Sequence, residues 1–158
     1  MAEHRITIDI AAPPERVFAM WTDLDRMIEW VGGVTRVTDL SGPIDAAGTR
    51  YTVHFGPMKS PTEILEVDRP RHVRTRFGNL ILKGESDVRF EPIPDGTRLT
   101  QVFRTRGLIS AITGRLFAAG DYKGSFKGEL ETFRTIVERE MATSRASSLR
   151  ADQESGTT

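Results

Sequence analysis

Apolar and polar residues alternate at the start of the chain. Ile6, Ile8 and Ile10 fall on one side of an extended segment, with Arg5, Thr7 and Asp9 on the other, the pattern of a half-buried β-strand. Pro13-Pro14 ends the segment, and Pro14 can open a helix without losing a needed N–H. The spacing of Val17, Phe18, Trp21 and Leu24 predicts a helix near 14–24, and Met27, Ile28 and Trp30 predict a second, shorter one near 25–30. Six more extended segments follow, at 34–41, 49–55, 61–67, 72–77, 80–91 and 97–105. Turn chemistry divides them: Gly42-Pro43, Gly56-Pro57, Arg69-Pro70-Arg71, Gly78-Asn79 and Asp95-Gly96. Hairpin-like connections of this kind make an antiparallel sheet.

The last pattern is the longest. Phe126, Leu130, Phe133, Val137 and Met141 recur at steps of three and four, giving one helix with a single apolar stripe. The apolar stretch 108–117 is also expected to be helical, although Gly114 and Gly120 weaken it. Residues 143–158 carry Ser, Thr, Ala and charge with little apolar content, which predicts a disordered tail behind one domain at 1–142.

One long helix cannot cover a flat seven-stranded sheet. The expectation is therefore an α+β fold: a strongly curved, seven-stranded antiparallel sheet wrapped around a long C-terminal helix, with two short helices after the first strand. A sheet curled around one helix leaves space between them, and a pocket is expected there.

Composition narrows the function. The chain has 158 residues, with 22 Lys plus Arg against 22 Asp plus Glu. A formal net charge of zero gives no global electrostatic argument for nucleic acid or a membrane surface. There is no cysteine, so disulfide, thiolate and cysteine-ligated metal chemistry are out. No window approaches the ~18 apolar residues of a membrane span. Residues 1–9 lack a signal-peptide apolar region, and a cytoplasmic protein, monomer or homodimer, is expected.

Several stretches together resemble a known superfamily. They are Ala12-Pro13-Pro14-Glu15-Arg16-Val17-Phe18, Trp21-Thr22-Asp23 with Glu29-Trp30, Gly48-Thr49-Arg50-Tyr51, Glu66-Val67-Asp68-Arg69-Pro70-Arg71 and Asp95-Gly96-Thr97-Arg98-Leu99-Thr100. In order and spacing the chain, over about 4–141, resembles the helix-grip superfamily. That superfamily holds the polyketide cyclase/dehydrase group, the birch pollen allergen and the steroidogenic-acute-regulatory-related lipid transfer domains. The resemblance implies a deep apolar cavity for lipids, sterols, polyketides or other hydrophobic molecules. Some members are cyclases or dehydratases, others only bind or carry, and a shared fold does not decide between them.

The residues exclude other chemistries more firmly than they assign one. His4, His54 and His72 form no helical pair and read as surface or strand-end residues, so no metal site is expected. No Gly-x-Ser-x-Gly or glycine-rich phosphate loop is present, and no cofactor is expected. Among strand carboxylates, Glu63 shares a face with Leu65 and Val67, while Asp87 and Glu91 oppose Val88 and Phe90 and are expected to face solvent. Arg69, Arg71, Arg74 and Arg76 form a basic cluster, read as an outer face paired with carboxylates. It lacks the interleaved aromatics of a nucleic-acid site.

Gln101 stands out because it shares a strand face with Leu99 and Phe103. A buried amide needs partners, supplied by another buried polar group or by a ligand. Tyr51, Thr62, Thr75 and Ser86 are similar polar tips on apolar faces. With them, Val53, Phe55, Ile64, Phe77 and Phe103 are the expected ligand contacts from the sheet. Trp30, Phe117, Gly120, Tyr122 and Gly124 are the expected contacts from the helical side, with Trp30 near the entrance before Gly32-Gly33. Core packing is the simpler role for Trp21 and Phe126. Gly120, Gly124 and Gly128 form one stripe on a continuous helix, read either as close backbone approach to the sheet or as room for a ligand.

Three functions stay open: a binding or carrier protein for a hydrophobic small molecule, a cyclase or dehydratase using the same cavity, and a protein-interaction module using the outer sheet face. The first is preferred, because no group of residues makes a convincing acid–base pair.

Overall fold

The computed structural model describes residues 2–78, 83–106 and 121–156, the side chains of 2 and 121–125 excepted. Strand β1 (Ala2–Ile10) leads through helix α1 (Pro14–Trp21) and a 3-10 helix (Leu24–Glu29) into a meander. The meander is β2 (Arg36–Thr38), β3 (Arg50–Phe55), β4 (Met58–Asp68), β5 (His72–Gly78), β6 (Lys83–Ile93) and β7 (Gly96–Arg106). Helix α2 (Asp121–Ser155) closes the fold. The sheet order is β1-β7-β6-β5-β4-β3-β2, with every described neighbour pair antiparallel. The helix-grip arrangement of the sequence analysis is thus the observed one. The stretches 80–82 and 108–117 lie outside the described residues.

Boundaries differ where the local pattern is weak. The second strand is only three residues long, against the eight expected. The first helix stops at Trp21 because the Thr22 hydroxyl donates back to the Phe18 carbonyl at 2.8 Å, and Leu24 belongs to the 3-10 helix instead. Helix α2 runs to Ser155, across most of the stretch for which composition predicts a disordered tail. Residues there are mostly exposed, Leu149 included. The helix beyond 143 thus rests on the helix propensity of Ala, Arg, Leu and Gln and not on packing.

Alternation along the strands builds the concave face. Gly84, Ser86, Val88 and Phe90 of β6 are buried, as are Thr97, Leu99, Gln101 and Thr105 of β7. A β-bulge in β4 between Ile64 and Glu66 breaks the alternation there. It puts both Ile64 and Val67 in contact with the core, so Glu63, Leu65 and Val67 do not share one face.

The main core sits where α1, the sheet and α2 meet. Phe133 of α2 is fully buried between Trp21 and Trp30, with ring centroids 5.4 and 4.9 Å away, both edge-on. Trp21 also meets Phe90, which meets Phe18 at 5.5 Å. Such edge-to-face pairs add about 0.5–1.5 kcal/mol each beyond their area burial. A smaller cluster of Val34, Tyr51, Val53 and Ile64 lies toward the β2 edge. Between the two clusters the space is not filled.

The convex face is charged and paired. Arg74 meets Glu66 at 2.7 Å and Glu85 at 3.5 Å, whereas Arg69, between β4 and β5, turns to α1, meeting Glu15 at 3.3 Å and lying over the Phe18 ring. Two residues assigned to this solvent face are less exposed than expected. Asp87 is half-buried because His72 Nε2 lies 2.9 Å from its carboxylate. His54 is buried, not a surface residue: its Nε2 lies 2.7 Å from the Thr38 hydroxyl, and its carbonyl accepts from the Thr35 N–H. The Thr38 side chain of the neighbouring strand β2 holds this ring.

Candidate functional site: an apolar cavity between sheet and helix

The cavity has a volume of about 380 Å³ and lies between the concave face, the 3-10 helix and α2. That size is in the range of small-molecule sites. Register explains how the strands line it. Tyr51 pairs with Thr62, and Thr62 with Phe77, making one row across β3, β4 and β5. Ile64, Thr75, Ser86 and Phe103 make the next row across β4 to β7. Val53 and Phe55 extend the wall along β3, and Gln101 extends it along β7. All ten strand residues expected at a pocket therefore line this one. Phe77 lies over Gly84, where an added Cβ would meet the ring at 2.6 Å. Phe77, Phe103 and Phe126 then form a run of tilted rings at 5.2 and 4.8 Å.

The helical side is partly as expected. Trp30 lines the cavity but is only 8% exposed, held against Trp21 and Phe133. It is a buried wall residue, not an entrance residue, because just past the 3-10 helix its ring packs into the main core. Trp21 and Phe126 line the cavity in addition to packing. Phe117, Gly120 and the side chain of Tyr122 lie outside the described residues, and so does what Gly124 faces. At Gly128 an added Cβ would meet nothing within 4 Å among the described residues, so close approach to the described sheet does not explain this member of the stripe.

The polar tips are sparse and distinct. Gln101 Nε2 donates to Ser86 Oγ at 3.2 Å, and both residues are buried. The Thr62 hydroxyl turns to the Ser60 carbonyl at 3.3 Å. Burial pushes the Tyr51 phenol up to about 12, so it stays a neutral hydroxyl with a proton to donate. The Trp30 indole N–H is buried, and among the described residues it has no hydrogen-bond partner.

The sequence reading missed five polar lining residues, Thr22, Lys59, Ser60, Thr105 and Glu129, and Glu129 is the carboxylate among them. Glu129 of α2 lines the cavity, and its Oε1 accepts a hydrogen bond from the Gly32 N–H at 3.1 Å. Desolvation raises its pKa, opposed by that backbone hydrogen bond. The signal was present: Glu129 stands three residues after Phe126 and four before Phe133, on the apolar stripe of α2. The strand carboxylates Glu63, Glu66, Asp87 and Glu91 do not line the cavity. Met27, Ile44, Met58 and Val73 are further lining residues. Val73 shares the β5 face of Thr75 and Phe77, and Met58 opens β4, whereas the facing of Met27 and Ile44 is set by how the 3-10 helix and the loop between β2 and β3 dock. Among the described residues no helix is long and apolar enough to cross a membrane.

Solved structures share this architecture. Protein MLL2253 from Mesorhizobium loti superposes with a TM-score of 0.70 at 16% identity, covering 87% of this chain and 98% of that one. The di-domain ARO/CYC StfQ of the steffimycin biosynthetic pathway gives 0.68 at 11% identity, covering 89% of this chain and 52% of StfQ. DynU16, a protein of the dynemicin biosynthetic locus, gives 0.64 at 18% identity, covering 86% and 47%. No curated protein matches the chain in sequence. The family described as polyketide cyclase/dehydrase and lipid transport matches residues 1–138, the whole sheet together with the part of α2 that packs on it, and the chain belongs to that family.

Proposed function

We propose that this protein binds or carries a hydrophobic small molecule in the cavity between its sheet and α2. The observation that carries the reading is the unfilled volume of about 380 Å³ with a wall dominated by aromatic and aliphatic side chains. A ligand burying about 300 Å² of apolar surface there would gain about 7 kcal/mol before the costs of association are subtracted. Tyr51, Thr75 and the Gln101–Ser86 pair supply a few fixed polar points to orient it. Native mass spectrometry of the purified protein tests this. An apolar adduct of defined mass, released on denaturation, is the expected result. Protein that emerges empty and takes up no neutral apolar probe overturns it.

A second reading, a cyclase- or dehydratase-type enzyme, draws support from the family and from Glu129. A half-buried carboxyl beside an apolar cavity, with its pKa raised, is suited to move a proton on a bound, folded substrate. Release of the adduct as a chemically altered species would favour this reading over carriage alone.

A further inference from the structure

We propose that two copies of this chain associate through the open edge of β1, antiparallel about a two-fold axis at Thr7, with the flanks of their α2 helices apposed. The inference is independent of the cavity. The sheet ends at β1 on one side and at β2 on the other. Strand β2 is three residues long, whereas β1 runs for nine. Register fixes where the β1 backbone groups point. Ile93 and Gly96 pair across the two-residue turn between β6 and β7, and a turn of that length is closed by a hydrogen-bonded pair. Alternation from there directs the odd residues of β7 to β1, and so the even residues of β1 to β7. Glu3, Arg5, Thr7 and Asp9 therefore turn their N–H and C=O groups to the open edge. The next N–H of that series, on Ala11, donates to the Glu138 carboxylate at 2.9 Å. A row of unpaired edge groups is a template for another strand.

Charge selects a second copy as the occupant and sets the register. The side chains of Glu3, Arg5, Thr7 and Asp9 are exposed. A two-fold at Thr7 places Arg5 opposite Asp9 of the second copy, twice over. A two-fold at Arg5 would set Arg5 against itself, and one at Ile6 would set Glu3 against Asp9, like charge on like. Helix α2, which packs against β1, carries the same self-complementarity. Thr7 and Asp9 line one groove with Lys127, Glu131 and Arg134, and Glu138 follows on that flank at helical spacing. The signs alternate along it. Two such flanks laid antiparallel pair Lys127 with Glu138 and Glu131 with Arg134. Among the described residues Arg5, Lys127, Glu131 and Arg134 are in no ion pair. One strand pair and one helix flank make a small interface, so the dimer is weak and concentration-dependent.

Sedimentation equilibrium of the whole chain, up to about 0.5 mM, tests this. A reversible monomer–dimer equilibrium that added salt weakens is the expected result. Thr7→Pro removes an N–H that the fold leaves unpaired and should weaken dimerisation at least ten-fold. Arg5→Glu and Glu131→Lys, at exposed positions, should each weaken it at unchanged melting temperature, and they carry the test if the proline variant fails to fold. The chain has no cysteine, so single cysteines report the register. Thr7→Cys should oxidise readily to a covalent dimer, because residues facing each other in a hydrogen-bonded pair lie about 5.5 Å apart. Arg5→Cys should not, because its two copies are set about 13 Å apart along the strands. A wild-type protein that stays monomeric, a dimer indifferent to these substitutions, or Arg5→Cys cross-linking as fast as Thr7→Cys overturns the inference.

Discussion

Gln101 Nε2 donates to Ser86 Oγ at 3.2 Å across the concave face, joining β7 to β6 inside an otherwise apolar wall. Each is the other's hydrogen-bond partner in a place where water access is restricted. Gln101→Leu should therefore cost about 1–2 kcal/mol, because it strands the serine hydroxyl. Adding Ser86→Ala should restore most of that loss. Urea denaturation of the two variants checks this, and a double variant no more stable than the single would show that the pair is not isolated.

Volume is the second lever. Thr75 lines the cavity from the middle of β5. Thr75→Phe places a ring in empty space and should lower the affinity for Nile red, a neutral apolar dye, at least ten-fold. Thermal stability should be unchanged or higher, since apolar burial is gained with no large cavity left behind. Dye titration read beside a melting curve separates blocked binding from unfolding.

Two glycines should respond in opposite directions to the same methyl group. Gly96 opens β7 with φ +152°, and an added Cβ would lie 2.0 Å from the Ile10 carbonyl oxygen. Gly96→Ala should lose at least about 2 kcal/mol, because both the backbone and the β1 contact must yield. Gly128→Ala should gain about 0.5–1 kcal/mol, because its Cβ meets open space and the unfolded chain loses freedom. Chemical denaturation of both variants reads the two signs.

Glu129 predicts a pH dependence. Desolvation raises its folded-state pKa above the ordinary 4.5, so the folded protein holds this proton more tightly than the unfolded chain. Its contribution to stability is fullest below 4.5 and declines as pH rises through the folded-state value. Relative to Glu129→Gln, the wild-type protein should lose stability between about pH 4.5 and pH 8. Paired denaturation series check the difference, in which the other titrating groups cancel. A flat difference would place the carboxyl in water.

The β6 and β7 faces were legible because alternation survives along them. Leu99, Gln101 and Phe103 could be placed together from period two alone, and Ser86 with Val88 likewise. In β4 the same rule fails at the bulge after Ile64, where one extra residue redirects every side chain beyond it. His54 misled for a different reason: a single strand's pattern assigns a face but not what covers that face, and here Thr38 does. Glu129 sits between Phe126 and Leu130 on the apolar side of its helix, and period alone does not say whether a lone carboxylate there meets a cavity or solvent.

Local patterning alone determined the order of the described elements, the antiparallel meander and the inward faces of β6 and β7. These follow from two periodicities and the turn residues between them, all short-range properties of the chain. Only the tertiary structure decided that the space between Trp30, Tyr51, Gln101 and Phe126 stays open. It also decided that a helix carboxylate, Glu129, borders that space. Whether apposed side chains fill a gap depends on the curvature of the sheet and on where α2 docks, and both are set by contacts between residues far apart in sequence.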